Sequence, residues 1–477
     1  MSVIGAAGDA AAFTSPYVGL NFYTQDKAAI FFGRDVERTV LISNLRASRL
    51  TLLYARSGTG KSSVLRAGVA SRLAELAQRN LEQRGTARNI PVVFSSWQDE
   101  PTDGLIAEIQ KTIIPFLPEA SPPEPPPGQL EEAIEVASIA ADATLLVMLD
   151  QFEEYFLYRS KEMRMGRFAD ELASCINRAD LRANFLISIR EDAFSGLGDL
   201  FQQRIDNVYG NYLHLENLNT ESARQAIVNP IISFNKQHKH EAVFEIEPTL
   251  IEAVLGQLRP DQLALDRDGI GLMGDGNGAG RYVGEIAAPY LQLVMKRLWE
   301  TEVAGGSRKL RLRTLEELGG AQMIIGTHVD RALGGLPDDD REAAVDIFHH
   351  LVTPSGTKIA LTASDLAEYT GRSVDETTAL LERLSRETGI LVAIAPPPGR
   401  EGGMRFEISH DLLAPAILDW GRRRRAVRLE HEKEAAELEA LTEKGRANKA
   451  FSVATVASIL ALIASIATIV SFIFSVH

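Results

Sequence analysis

The chain has 477 residues, a formal net charge of −14, 45% hydrophobic and 24% charged residues. This is globular composition with room for about two to four domains, and the acidic balance argues against broad nucleic-acid binding, which needs basic faces against phosphates. A single cysteine, Cys175, excludes an intramolecular disulfide and suits a reducing cytosol.

The opening stretch MSVIGAAGDAAAFTSPYVGL lacks a basic n-region and a continuous apolar core, so it does not read as a secretory signal. Residues 1–45 are expected to form a lead. Over 46–219 strand-like runs alternate with helical patterns. LTLLY (Leu50–Tyr54), PVVFSSW (Pro91–Trp97), TLLVMLD (Thr144–Asp150) and NFLISIRED (Asn184–Asp192) read as strands. Their alternation predicts an α/β domain with a parallel, doubly wound sheet. The apolar third strand should be covered on both faces. LPEASPPEPPPGQL, before that strand, is a proline-rich surface loop.

From Thr220 the pattern turns helical, and 220–335 is expected to be a helical domain. TESARQAIVNP predicts a helix with Thr220 as N-cap and Pro230 at its end. GLMGDGNGAG (Gly271–Gly280) is a loop. Asp266, Asp268 and Asp275 near it lack the spacing and closing Glu of an EF-hand, so a plain loop is the expectation. Residues 336–420 resemble a winged helix. REAAVDIFHHLV, TASDLAEYTG and SVDETTALLERLSRETG read as its helices, and LVAIAP and MRFEIS as a hairpin. The third helix carries Asp375, Glu376, Glu382 and Glu387 against Arg383 and Arg386, a poor face for phosphates, so packing is expected rather than DNA binding.

Residues 421–450 predict a charged stalk helix, either a plain one or a weak coiled coil through Leu429 and Ala436. FSVATVASILALIASIATIVSFIFSV (451–476) holds no Lys, Arg, Asp or Glu and is long enough for a transmembrane helix. Lys444, Arg446 and Lys449 precede it, so the positive-inside rule predicts a single pass through the inner (cytoplasmic) membrane with the body in the cytoplasm.

The strongest chemical motif is ARSGTGKSS (Ala55–Ser63), between a strand and a helix. Backbone N–H groups of Gly58, Thr59, Gly60 and Lys61 can wrap a phosphate chain, helped by the helix dipole. Lys61 can reach the β- and γ-phosphates, Ser62 can ligate Mg2+, and Ser63 is counted with the nucleotide-binding residues. Ala55 replaces the usual first glycine. Asp150, ending the apolar strand of LLVMLDQFEEYF, is the candidate magnesium-holding acid. Gln151 stands where many such ATPases place a glutamate. Glu153 and Glu154 are the candidate bases, the alternative being a solvated helix start. Arg190, at the end of FLISI, is a candidate phosphate sensor; the alternative is a surface arginine paired with Glu191 or Asp192.

With these stretches in place, the chain resembles the STAND class of signal-transduction ATPases, in its bacterial novel STAND branch. The matching segments include SPYVGLNFYTQDKAAIFFGRDVE, LYARSGTGKSSVLRAG, VMLDQFEEYF, ISIREDAF, PYLQLVMKRLWE and EISHDLLAPAILDW, from Ser15 to Trp420. The resemblance implies a P-loop, a helical and a winged-helix domain, and an ADP/ATP switch that oligomerises on activation. It places Phe32, Gly33 and Arg34 beside the adenine, Pro289 near the base, and His410 on the β-phosphate of ADP, with Asp411 to orient it. Many members continue into repeat domains that sense a ligand; no internal repeat follows Trp420 here, so the sensor is expected to be missing, supplied by a partner, or replaced by the tail.

The functional expectation is a membrane-anchored switch binding ATP/ADP and Mg2+, a slow ATPase, forming a homo-oligomer when active, with bacterial antiviral defence as its setting. The alternatives are an ATPase-coupled winged-helix transcription regulator, which lacks a basic recognition helix, a transport motor, which lacks its LSGGQ-type signature, and a passive membrane scaffold. No nucleic-acid partner is expected.

Overall fold

The computed structural model describes residues 13–97, 100–117, 128–158, 167–201, 203–238, 243–259, 286–353, 358–386, 388–394, 403–409 and 413–475. Five strands make one parallel sheet: β1 (Leu50–Ala55), β2 (Arg88–Phe94), β3 (Ala143–Leu149), β4 (Ala183–Arg190) and β5 (Tyr212–His214), in the order β2-β3-β4-β1-β5. The first four match the expected strands to within a few residues. The fifth is a three-residue edge strand with both end residues exposed, so it leaves no apolar run to read.

Alternation along β3 explains why it is apolar throughout. Leu145, Val147 and Leu149 enter one core with Trp97, Leu105 and Phe152. Leu146 and Met148 enter the other with Leu41, Val64 and Leu65. Helices therefore cover both faces, as a parallel sheet requires. The pairing of Ala55 with Arg190 and of Leu149 with Ile187 brings the C-terminal ends of β1, β4 and β3 to one edge. In open α/β sheets this edge is where ligands bind.

The next domain packs helices Thr220–Gln237, Pro248–Gln257 and Ala288–Ala304 around Leu250, Leu291 and Trp299. A two-stranded parallel ribbon, β6 (Glu245–Ile246) with β7 (Lys309–Leu310), joins its ends. Two details of the expected first helix are corrected. The N-cap is Asn219, whose side chain accepts from the Ser222 amide, and the helix runs through Pro230. Proline removes one helical donor. Pro230 is buried, and beside the affected turn the Tyr17 hydroxyl donates to the Ile227 carbonyl at 2.6 Å. Tertiary packing overrides the stop signal. Residues 260–285, with Asp266, Asp268, Asp275 and the expected loop, lie outside the described residues.

The third domain has helices Asp338–Leu351, Ala363–Thr370 and Val374–Arg386, with a sheet of β8 (Leu361–Thr362), β9 (Leu391–Ile394) and β10 (Arg405–Ile408) in the order β8-β10-β9. Thr362 caps its helix through a capping box with Asp365, and Gly371 ends it at φ +67°. The hairpin turn 395–402 lies outside the described residues.

One helix, Ala414–Ser475, then crosses both expected boundaries, at 420/421 and 450/451. Its start is anchored by buried Ile417 and Trp420, and by ion pairs of Arg423 with Asp330, Arg425 with Asp346, and Arg424 and Arg428 with Glu342. The expected transmembrane helix over 451–476 is overturned: among the described residues no helix is long and apolar enough to cross a membrane. Thr455, Ser458, Ser465 and Thr468 interrupt the apolar side chains of the described stretch. A hydrocarbon core requires ~20 predominantly apolar residues. The single-pass inner-membrane placement rested on that span and falls with it.

Candidate active site

The loop after β1 turns on two glycines in the left-handed region, Gly58 at φ +82° and Gly60 at φ +99°. A side chain is strained there. A Cβ on Gly60 would meet nothing within 4 Å, so the loop backbone faces open space. The helix begins at Lys61–Ser63, passes through a π segment, Val64–Ala70, and continues as Ser71–Arg84. Lys61 is buried, and its ammonium donates to the carbonyls of Ala55 at 3.1 Å and Arg56 at 3.4 Å. Burial lowers its pKa, opposed by the negative charges of Glu153 and Asp150.

Arg34 holds this loop from behind. Its guanidinium donates to the Thr59 carbonyl at 3.0 Å and the Glu216 carbonyl at 2.7 Å, and pairs with Glu37. Gly33, at φ +86°, is equally constrained: a Cβ would sit 2.3 Å from the Ser222 carbonyl oxygen. The expected box therefore ties the lead to the loop and to the helical domain, while Phe32 lines the cavity in front. Tyr23 makes a second tie. Its amide donates to Ser63 Oγ at 3.1 Å and its hydroxyl to Gln292 Oε1 at 2.7 Å. Ser63 thus serves the loop's framework, and Ser62 lines the cavity.

Asp150 is fully buried at the end of β3, with its backbone carbonyl accepting from Trp97 Nε1 at 2.7 Å. Oδ1 accepts from the Gln151 amide at 3.0 Å; Oδ2 has no hydrogen-bond partner. Arg66 Nε, also without one, lies 3.7 Å from Oδ2. An orphaned carboxylate oxygen directly before Gln151 on the cavity wall, with the Ser62 hydroxyl on that wall, is a donor set that suits a hard divalent cation. Asp150 and Ser62 therefore fit Mg2+.

Glu153 accepts the Arg190 amide at 3.1 Å. Burial pushes its carboxyl pKa up, and the Lys61 ammonium pulls it back. The Arg190 side chain is held by Asp192 through two bonds of 3.0 and 2.8 Å, the pairing weighed as the alternative, although it still borders the cavity. Glu154 turns elsewhere. It lies 3.9 Å from the Lys358 ammonium, which also contacts Glu407. Burial raises the Glu154 pKa well above the carboxylate range, Lys358 opposes this and Glu407 reinforces it.

Lys61, Ser62, Glu153, Glu154, Arg190 and Lys358 border one cavity of about 320 Å³, within the usual range of ligand sites. Its walls come from every domain. Phe31 and Phe32 belong to the lead, and Gly58–Ser63 to the loop. Ala288, Pro289 and Gln292 come from the helical domain; Lys358, Ile394, Glu407 and Ser409 come from the third domain. The lining combines aromatic and aliphatic side chains such as Phe31, Phe32 and Pro289 with charged ones such as Lys61 and Arg190, the mix a nucleotide needs. His410 and Asp411 lie outside the described residues. Sequence reasoning missed Arg66, Tyr23, Gln292, Lys358 and Glu407. Tyr23, Arg66, Gln292 and Glu407 lie inside the quoted segments but at positions without a motif role, and Lys358 and Glu407 meet Glu154 only through folding over more than 200 positions.

The family model described as Novel STAND NTPase 1 matches residues 16–449. No curated protein matches the chain. Among solved structures, the Aeropyrum pernix ORC2 protein in ADPNP–ADP complexes is 14% identical, with a TM-score of 0.40 over 83% of this chain and 95% of that one. The Aeropyrum pernix ORC1 protein in complex with DNA is 14% identical, with a TM-score of 0.39 over 87% and 100%. A Walker-type ATPase of Pyrococcus abyssi is 15% identical, with a TM-score of 0.37 over 83% and 98%. These likenesses are distant in sequence and loose in superposition.

Proposed function

We propose that this chain, which belongs to the novel STAND NTPase 1 family, works as a nucleotide switch that hydrolyses ATP slowly and changes its domain arrangement with the nucleotide it holds. The observation that carries this reading is the shared cavity: a nucleotide held by Lys61 would touch all three domains at once. ADP would keep the third domain against the loop; ATP would weaken that closure and favour association of several copies.

Within the site, the amides of Gly58, Gly60 and Lys61 bind the phosphates, and Lys61 turns from the loop carbonyls towards them. Phe32 and Pro289 flank the base. Glu153 is the better base of the two acids, because it sits by Lys61 and Arg190 while Glu154 is engaged by Lys358. Ser62 and Asp150 would hold Mg2+, which supplies charge neutralisation when bound. Slow turnover follows from Gln151, whose amide cannot take a proton at the position after Asp150.

DNA regulation is disfavoured by the third domain itself. On helix Val374–Arg386, Arg383 pairs with Asp340 and Arg386 with Glu382, leaving an acidic face.

Purified protein should retain ADP or bind it on addition, and Lys61→Ala should weaken binding of ADP and ATP by about 100-fold or more. Isothermal titration decides this. Wild-type protein that binds neither nucleotide sinks the switch reading.

A further inference from the structure

Glu154, Lys358 and Glu407 form a charged cluster that the hydrolytic chemistry does not use. All three border the nucleotide cavity. Glu154 belongs to helix Glu153–Tyr158, directly after the base Glu153. Lys358 and Glu407 belong to the third domain, Glu407 on β10 and Lys358 bridged to Val352 before β8. Their side chains are 12%, 17% and 10% exposed. The Lys358–Glu407 contact lies within one domain, whereas the 3.9 Å Lys358–Glu154 contact crosses between two.

We propose that Lys358 is a positioning residue: it is an ionic latch that the third domain extends to Glu154, fixing the helix that carries Glu153 and holding the cavity closed over ADP. Two acids compete for one ammonium. Glu407 orients Lys358 but draws part of its charge away from Glu154; burial first and the Glu407 charge after it disfavour ionised Glu154, so the pair holds only while Lys358 keeps that carboxyl charged. The latch is therefore weaker than a single pair would be, and it can open. A third-domain movement would release Glu154 and with it the restraint on Glu153. This inference rests on the switch reading and adds the contact that couples site to domain.

The assignment makes two isosteric changes act in opposite directions. Glu154→Gln removes the charge that crosses the boundary, and release of a fluorescent ADP analogue from the full chain should accelerate about tenfold. Glu407→Gln removes the acid that competes with Glu154 for the Lys358 charge, and release should slow. Lys358→Met should accelerate release, and Lys358→Arg should restore it towards wild type. Single-turnover hydrolysis should show the matching split, with Glu154→Gln and Lys358→Met altering kcat more than KM. Equal effects of Glu154→Gln and Glu407→Gln, in either direction, would overturn the latch, since loss of packing alone treats both acids alike. Unchanged release in Lys358→Met would overturn it too. In both cases nucleotide binding by wild-type protein would leave the switch reading standing.

Discussion

At the scale of single residues, the site turns on how one carboxyl is tuned. Glu153 has its pKa raised from 4.5, chiefly by burial, with Lys61 opposing. As a base it must be ionised, so the acid limb of the hydrolysis rate should lie above the usual carboxylate range. Glu153→Gln should lower kcat by about 10²–10⁴-fold and abolish that limb. Stability follows the same shift. A folded-state pKa above the unfolded value favours folding below about 4.5 and loses that contribution as pH rises through the folded value. Glu153→Gln should therefore raise the unfolding midpoint relative to wild type at pH 8 and not at pH 4; the reverse order would refute the raised pKa. The phosphate loop, Asp150 and Glu153 were legible because each belongs to a local motif at a strand end. Arg66 beside Asp150 was not, since it sits in an apolar helix with nothing in its spacing to mark it.

At the scale of elements, hydrophobic pattern located β1 to β4 and the helices of the third domain to within a few residues, because each buries a continuous or periodic apolar set. Where local signals failed, packing decided. Pro230 does not end its helix, because the buried face of that helix continues to Phe234 against Trp299. β5 was invisible because it is an edge strand held mainly by its pairing with β1. The helix Ala414–Ser475 was read as three pieces from composition alone: apolar, charged, apolar. Its backbone stays helical through Gly421 and Gly445, and no proline follows Pro415. Trp420 fixes its near end, 3% exposed against Phe348 with Arg424 over the ring. Trp420→Ala should cost about 3–5 kcal/mol of third-domain stability, read as a lower unfolding midpoint, whereas Leu441→Ala, on an exposed stretch, should change it little.

At the scale of the whole molecule, the cavity makes stability a function of nucleotide. Because its walls come from all domains, a bound nucleotide stabilises the closed chain by mass action, about 2.7 kcal/mol at 100 times its Kd. ADP should raise the unfolding temperature and merge separate domain transitions into one; a shift confined to one transition would contradict a shared site. This arrangement was only half legible. The order of domains could be read from motifs, but not that Lys358 would meet Glu154, since nothing in the sequence around Lys358 marks it. The long helix adds a mechanical consequence. From Trp420 to Ser475 it runs about 80 Å at ~1.5 Å per residue. Rooted in the third domain by its buried tryptophan and three arginines, it would act as a lever arm if that domain turned. A turn of that domain by about 10° at the nucleotide would sweep the far tip through roughly 14 Å, simple trigonometry on that rise, so a sub-nanometre event at a phosphate becomes a displacement large enough for a neighbouring molecule to register.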